Sequence, residues 1–325
     1  MTKIIVTAIV GAVFSGAAGW LLLPILRALK AGQSIRDVGP TWHNYKAGTP
    51  MMGGLMFIFA AILCLILNVF TMQDFTVFYV LALSLCFGLI GFLDDFFKLK
   101  YKRNLGLTSA QKAMLQMAVS AIYLYLLYKQ GVMSCNLYIP FVNMYFAIHP
   151  LVYIFFAMFV IVGCVNAVNL TDGVDGLCGS VTIPVMIFFA VVAVVKERFD
   201  LALLPACLAG GLVAYLFYNW HPAQVFMGDT GSLFLGGVVC ALAFALDMPL
   251  VLILVGFVYI IETLSVILQV TYFKLTHGKR IFKMAPIHHH FEMSGWNEEK
   301  IVLVFSGICV LMCILAWIGV SGMIN

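Results

Sequence analysis

Four polar residues, Asn166, Asn169, Asp172 and Asp175, recur at every third position of Asn166-Ala-Val-Asn-Leu-Thr-Asp-Gly-Val-Asp-Gly-Leu177. An apolar run from Leu151 to Cys164 precedes them, and another resumes near Val181. If the first run is a helix that continues into this stretch, Asn166, Asn169 and Asp172 share one edge of its end. Asp172-Gly173 and Asp175-Gly176 then supply turn chemistry that stops it. Carboxamides and carboxylates at the mouth of a lipid-embedded helix are costly unless they face water, protein or a ligand. A polar turn between two membrane helices accounts for one such stretch. It does not account for the comparable polar stretches elsewhere in the chain.

Asp94-Asp95-x-x-Lys98 ends another apolar run. Adjacent carboxylates repel and tend to recruit a cation, and Lys98, one turn on, neutralises one of them. A solvated helix end with an ion pair is the plainer alternative. In Tyr218-Asn-Trp-His-Pro-Ala-Gln-Val-Phe-Met-Gly-Asp-Thr-Gly-Ser232, Asp229 with Thr230 and Ser232 either caps the next helix or ligates Mg²⁺, which takes one or two carboxylates and fills its shell with phosphate and water. The flanking glycines and the new helix N-terminus favour an anion, and Phe226 offers a flat apolar surface. His288, His289 and His290 are consecutive and cannot all point one way, so phosphate binding or proton transfer fits them better than zinc. Lys46, ahead of Thr49, and Lys112 are each either phosphate ligands or membrane-flanking charges. Glu262 and Gln269, seven apart, share a helix face; a buried glutamate there is more often a structural hydrogen-bond partner than a catalyst. Phosphoryl transfer on a lipid uses all of these features together.

The elements that must position these residues are membrane helices. Charged residues make up 10% of the chain and apolar ones 63%, against roughly 25% and 45–50% in soluble domains. The apolar runs are continuous, which excludes a β-barrel. The nine cysteines are odd in number and form no CxxC pair, so neither a disulfide framework nor a zinc ribbon is indicated. The first run follows only Lys3 and reads as a retained helix, not a cleaved signal peptide. Ten spans are expected, near 4–26, 52–72, 75–93, 111–129, 148–166, 179–195, 201–218, 231–247, 249–271 and 300–322. All must be helical, because backbone groups in lipid are satisfied only within the segment. Residues 133–149 alternate around Pro140 and suggest a small β-hairpin outside the bilayer. Fourteen of the 18 Lys and Arg residues follow odd-numbered spans, leaving Lys3, Lys129, Lys196 and Arg198 on the other side. The positive-inside rule puts the basic loops in the cytoplasm and both termini outside. The expected fold is thus a single all-α polytopic domain over residues 1–325, with its site on the cytoplasmic face.

On these motifs the chain resembles the polyprenyl-phosphate N-acetylhexosamine-1-phosphate transferase superfamily. The resemblance covers nearly the whole chain: Lys46-x-Gly-Thr-Pro-x-Met-Gly-Gly54, Gly91-Phe-Leu-Asp-Asp-Phe-Phe-Lys98, the Asn166–Leu177 stretch, Asn219-x-x-Pro-Ala-x-x-Phe-Met-Gly-Asp-Thr-Gly-Ser232 and Pro286-Ile-His-His-His-Phe-Glu292. The histidine motif favours the bacterial branch acting in peptidoglycan synthesis over relatives that transfer N-acetylglucosamine-1-phosphate. The resemblance implies that undecaprenyl phosphate attacks UDP-MurNAc-pentapeptide, giving lipid I and UMP with Mg²⁺ as cofactor. It makes Asp94, Asp95, Asp229 and His288 the catalytic residues, with Asp94 and Asp95 as the carboxylate pair and Asp229 also the metal ligand. Asn169, Asp172, Phe226 and Gln269 become nucleoside contacts, and Lys46, Lys98, Asn219 and the three histidines line the phosphates. Thr49, Lys112, Asn166, Leu170, Gly173 and Asp175 complete the substrate-binding set. It further implies a homodimer in the bacterial cytoplasmic membrane; no nucleic-acid partner is expected. A divalent-cation transporter would also want carboxylates and histidines, but near mid-membrane on discontinuous helices; here most lie at one face, with Glu262 the main exception. The topology is testable: cysteines placed at Gly32, Asn104 and Gly278 should react with impermeant thiol reagents from the cytoplasmic side only, and labelling of position 104 from outside intact cells would overturn it.

Overall fold

The computed structural model describes residues 1–29, 48–101 and 106–324. Lys46 and the labelling positions Gly32 and Asn104 lie outside the described residues. The long helices are α1 (Thr2–Ala28), α2 (Leu55–Asn68, prolonged by a 3₁₀ turn to Thr71), α3 (Thr76–Tyr101), α4 (Ser109–Lys129), α5 (Pro150–Thr171), α6 (Leu177–Val195), α7 (Phe199–Asn219) and α8 (Gly228–Ala245). After them come the short α9 (Leu252–Val255), α10 (Phe257–Leu275), the short α11 (Ile287–Glu292) and α12 (Glu298–Ile324). Strands β1 (Asn136–Ile139) and β2 (Met144–Ala147) pair antiparallel, Asn136 opposite Ala147, as the expected hairpin. All nine cysteines are free thiols.

Helix underlies every expected span, and among the described residues eight helices are long and apolar enough to cross a membrane. The chain is an all-α polytopic membrane protein. Two departures from the expected boundaries have local causes. Residues 50–54 are not helical because they pair with the loop before α8: Phe226 N donates to Pro50 O (2.8 Å), Gly53 N to Phe226 O (2.8 Å) and Gly54 N to Met227 O (3.1 Å). The span expected at 249–271 is broken at Gly256, and its main helix, α10, starts at Phe257. Pro249 opens a 3₁₀ turn there, at a helix start where its missing N–H leaves no hydrogen bond unmade. Helix α4 is long enough to span but is not among the eight. It carries Gln111, Lys112, Gln116 and Ser120, and it begins in a capping box between Thr108 and Gln111.

At the centre stands α8. Every one of its residues is buried except Asp229. A helix apolar all round belongs in the middle of a bundle, and α8 lies along α3 and α5, while α1 packs on α7 and α12 on α6. The approach of α3 to the start of α8 depends on Gly91: a Cβ there would lie 2.1 Å from Asp229 O, so any side chain would push the two helices apart. That contact sets Asp94 and Asp95, one turn further along α3, beside the α8 N-terminus.

The loops at the other end of α3 are fastened by charge. Arg198 Nε donates to Asp74 Oδ2 (2.8 Å) and its terminal nitrogens reach Thr76 Oγ1 (2.8 Å) and Ala245 O (2.9 Å). Asp200 Oδ2 accepts from Gln73 N (2.7 Å) and Asp74 N (3.1 Å). Burial alone would raise the Asp74 pKa, but the Thr76 and Arg198 donors outweigh it and hold the carboxyl below its usual value. A depressed folded-state pKa contributes stability that is present at neutral pH and lost as pH falls through that pKa. Asp74→Asn should therefore cost roughly 1 kcal/mol at pH 7. The Tm gap between variant and parent in detergent should close on acidification; a gap unchanged down to pH 3 would refute the assignment.

Candidate active site

Three helices meet the N-terminal end of α8. Asp94, Asp95 and Lys98 come from the end of α3, Lys112 from the first turn of α4, and Asn169 from the last turn of α5. The cap of α8 is Asp95, which reaches it from the neighbouring helix: its Oδ2 accepts from Thr230 N (2.9 Å) and Thr230 Oγ1 (2.8 Å), and its Oδ1 from Asp229 N (3.3 Å). A carboxylate at a helix N-terminus satisfies otherwise orphaned N–H groups and is favoured by the helix dipole. Asp229, relieved of capping, turns outward. Its Oδ1 accepts from Asn169 Nδ2 (2.9 Å), and its Oδ2 takes Lys112 Nζ (2.5 Å) and Lys98 Nζ (3.1 Å).

The same two ammonium groups hold Asp94. Lys98 Nζ lies 2.6 Å and Lys112 Nζ 3.1 Å from Asp94 Oδ2, while Asp94 Oδ1 accepts from Leu107 N (2.7 Å). Asp94 and Asp95 are buried, so carboxylates taken out of water are balanced here by paired cations and hydrogen bonds. One oxygen from each of Asp94, Asp95 and Asp229 lies within 4.8 Å of the others. Carboxylate oxygens of this kind are what Mg²⁺ prefers. Asp95 is held mainly by α8, with Lys98 Nζ a further 3.7 Å from its Oδ1, and the two lysine ammonium groups bridge Asp94 Oδ2 and Asp229 Oδ2. The group can hold a divalent metal.

The other residues singled out by sequence take distinct places. Asn166 and Asn169 share the α5 edge but face different neighbours: Asn166 Nδ2 donates to Gln116 Oε1 of α4 (2.7 Å), whereas Asn169 also reaches Ser232 Oγ of α8 (2.8 Å). Leu170 and Thr49 are half-buried, and Asp172 closes α5 with its N–H on Asn169 O (3.2 Å). Asn219, buried, braces two loops, with Oδ1 on Gly176 N (3.0 Å) and Nδ2 on Val225 O (2.9 Å). Asp175 Oδ2 accepts from Ala223 N (3.0 Å). Phe226 is half-buried on the strand-like segment that pairs with Pro50. Gln269 Oε1 accepts from Ile281 N (3.1 Å) and Phe282 N (2.9 Å), fixing the loop that leads to α11.

The three histidines do diverge on α11. His289 pairs with Glu292, His290 Nδ1 accepts from Lys283 N (3.1 Å), and His288 is fully buried with Nδ1 2.9 Å from Glu262 Oε2. Glu262 is therefore the structural hydrogen-bond partner expected of it, and the residue it holds is His288. With Nδ1 against a carboxylate, His288 presents Nε2 to the turn after α5, where a Cβ on Gly173 would come within 2.2 Å of it. The partners that sequence reading missed are Gln116, His221 and Glu298; none carries a local signal beyond being polar beside an apolar run.

Comparison with known proteins decides the family. Residues 77–247, which hold the carboxylate cluster, match the family model described as glycosyl transferase family 4. The chain is 47% identical to the phospho-N-acetylmuramoyl-pentapeptide-transferase of Clostridium acetobutylicum, over 98% of this chain and 99% of that protein. It is 49% identical to the protein of the same name from Clostridium perfringens, over 97% and 98%. A third, from Clostridium novyi, is 45% identical over 99% and 98%. The chain belongs to glycosyl transferase family 4. Its place is in the phospho-N-acetylmuramoyl-pentapeptide-transferase branch, which the likeness spans from end to end. For a transferase of this family the Gly173–His288 contact predicts that Gly173→Ala lowers turnover by ~10²-fold through displacement of the imidazole. Gly163→Ala, where a Cβ meets nothing within 4 Å, should leave turnover unchanged. Equal turnover in the two variants would show that His288 need not sit against this turn.

Proposed function

We propose that the chain transfers phospho-MurNAc-pentapeptide from UDP-MurNAc-pentapeptide to undecaprenyl phosphate, yielding lipid I and UMP. The observation that carries this reading is the convergence of Lys98, Lys112 and Asn169 on the Asp229 carboxylate, in a chain matching its relatives over nearly its whole length. In this reading the chain is one membrane-embedded domain, a homodimer in the bacterial cytoplasmic membrane. It has ten spans, both termini outside, and its site opens on the cytoplasmic face.

The reaction joins an oxygen of the lipid phosphate to the sugar-side phosphorus of the nucleotide. The bond from that phosphorus to the bridging oxygen breaks, and UMP leaves with the electron pair. Such a transition state needs positioning and positive charge more than covalent help. Lys98 and Lys112 supply that charge as they exchange Asp94 and Asp229 for phosphate oxygens. Asp229, with Asp94, would hold Mg²⁺, which when bound adds Lewis-acid stabilisation of the diphosphate. Asp94 is our candidate contact for the lipid phosphate, as base or as nucleophile. Direct attack is favoured because both Asp94 oxygens are engaged by donors. A phosphate monoester with a second pKa of ~6 is moreover largely ionised at pH 7 without a base. Asn169, Asp172, Phe226 and Gln269 bind the nucleoside, and Lys46, Thr49, Asn219 and the histidines lie along the phosphates.

The test is UMP release in vesicles containing undecaprenyl phosphate and Mg²⁺. UDP-MurNAc-pentapeptide should support it and UDP-N-acetylglucosamine should not; the reverse preference would assign the other branch, and Mg²⁺ flux without UMP a transporter. Omitting the lipid should abolish release, whereas a stoichiometric burst without lipid would establish a covalent route. Asp229→Asn should lower turnover by ~10²-fold or more. Because Asp95 caps α8, that loss cannot be ascribed to a lost cap, and near-normal turnover with an unchanged Mg²⁺ requirement would place the metal elsewhere.

A further inference from the structure

Glu298 opens α12, where a carboxylate would ordinarily serve its own helix end. Instead the side chain is buried and crosses to the turn after α5: Glu298 Oε2 accepts from Asp175 N at 3.0 Å, and Oε1 lies 3.6 Å from His221 Nδ1. His221 Nδ1 is in turn 3.2 Å from Asp175 Oδ2. The node thus joins the Asp172–Gly176 turn, the loop before α8 and the start of α12, three segments remote in sequence.

What makes this more than a surface clasp is the rigidity of the link from α11 to α12. Met293 N donates to His289 O (3.0 Å), Gly295 N to Glu292 O (2.9 Å) and Trp296 N to Phe291 O (3.1 Å), and the Phe291 and Trp296 rings pack at a 31° tilt with centroids 4.6 Å apart. Fixing the start of α12 therefore fixes α11 and with it His288. Glu298 then ties that unit to the same turn whose Gly173 faces His288 Nε2.

We propose that Glu298 is a positioning residue. It sets the distance between the Asp172-Gly173 turn and His288 by holding the Asp175 N–H, and so governs productive binding of the sugar nucleotide. The inference rests on the transferase reading above for its substrate, but on geometry alone for its lever, which is the reach of the side chain and not its charge. Two substitutions separate these. Glu298→Gln keeps the reach and an acceptor oxygen; Glu298→Asp keeps the charge at the helix end and retracts the oxygen by one methylene. Positioning predicts that Glu298→Asp raises KM for UDP-MurNAc-pentapeptide roughly tenfold, while Glu298→Gln stays within about twofold of the parent. Protection of the Asp175 amide against hydrogen exchange, which needs no substrate, should fall in Glu298→Asp and persist in Glu298→Gln. The opposite order would assign Glu298 to helix-end electrostatics and overturn the proposal, as would unchanged protection in both variants. If the parent releases no UMP while the exchange pattern holds, the transferase reading has failed and the clamp has not.

Discussion

Taking carboxylates out of water beside lipid is the constraint on which the rest of this structure depends. Asp94 and Asp95 are buried at the end of a membrane helix, where an uncompensated charge would cost several kcal/mol. The fold meets that cost with two different kinds of partner. Asp95 is matched by the N-terminus of α8, through two backbone N–H groups and the Thr230 hydroxyl. Asp94 and Asp229 are matched by the long-stemmed ammonium groups of Lys98 and Lys112. The first match is permanent, because the donors belong to the main chain of a helix buried on all sides. The second is exchangeable, because a lysine can give up a carboxylate oxygen for a phosphate oxygen without moving any helix.

This division explains how adjacent residues of one sequence motif serve different ends. Helix periodicity turns successive side chains by about 100°, so Asp94 and Asp95 lean toward different elements, although Lys98 Nζ lies within 2.6 Å of one and 3.7 Å of the other. One turns to α8 and becomes part of its architecture; the other faces the lysines. The close contact at Gly91 makes both orientations useful, since without it the α8 N-terminus would be out of reach. A comparable division appears on α5, where Asn166 ties α4 in place and Asn169, one turn later, attends to Asp229.

Much of this was legible in the sequence, and for physical reasons. Long apolar runs in a chain with so few charges admit only helices, and every expected span does contain one. Acidic and amide residues at the ends of those runs stood out because lipid makes them costly, and Asp94, Lys98, Lys112, Asn169 and Asp229 do meet. What sequence could not show was direction. Asp229 was as good a cap for α8 on paper as Asp95 proved to be in space, since the choice depends on how closely α3 approaches. The break at Gly256 hides inside an unbroken apolar run. His221 and Glu298 were invisible because their partners lie 46 and 123 residues away from them, at Asp175.

The far end of α12 is also fastened. Phe141 N donates to Gly319 O (2.8 Å), and Tyr138 Oη approaches the same carbonyl at 3.3 Å, so the β1–β2 hairpin grips the helix about 32 Å along its axis from Glu298. A helix held at both ends is a strut of fixed length. A bilayer thinner than that strut favours tilting it, and any such tilt must be taken up at one of its two fastenings. One of these is a hairpin remote from the chemistry. The other is the turn that faces His288, so membrane thickness and the geometry of the site are mechanically joined through a single helix.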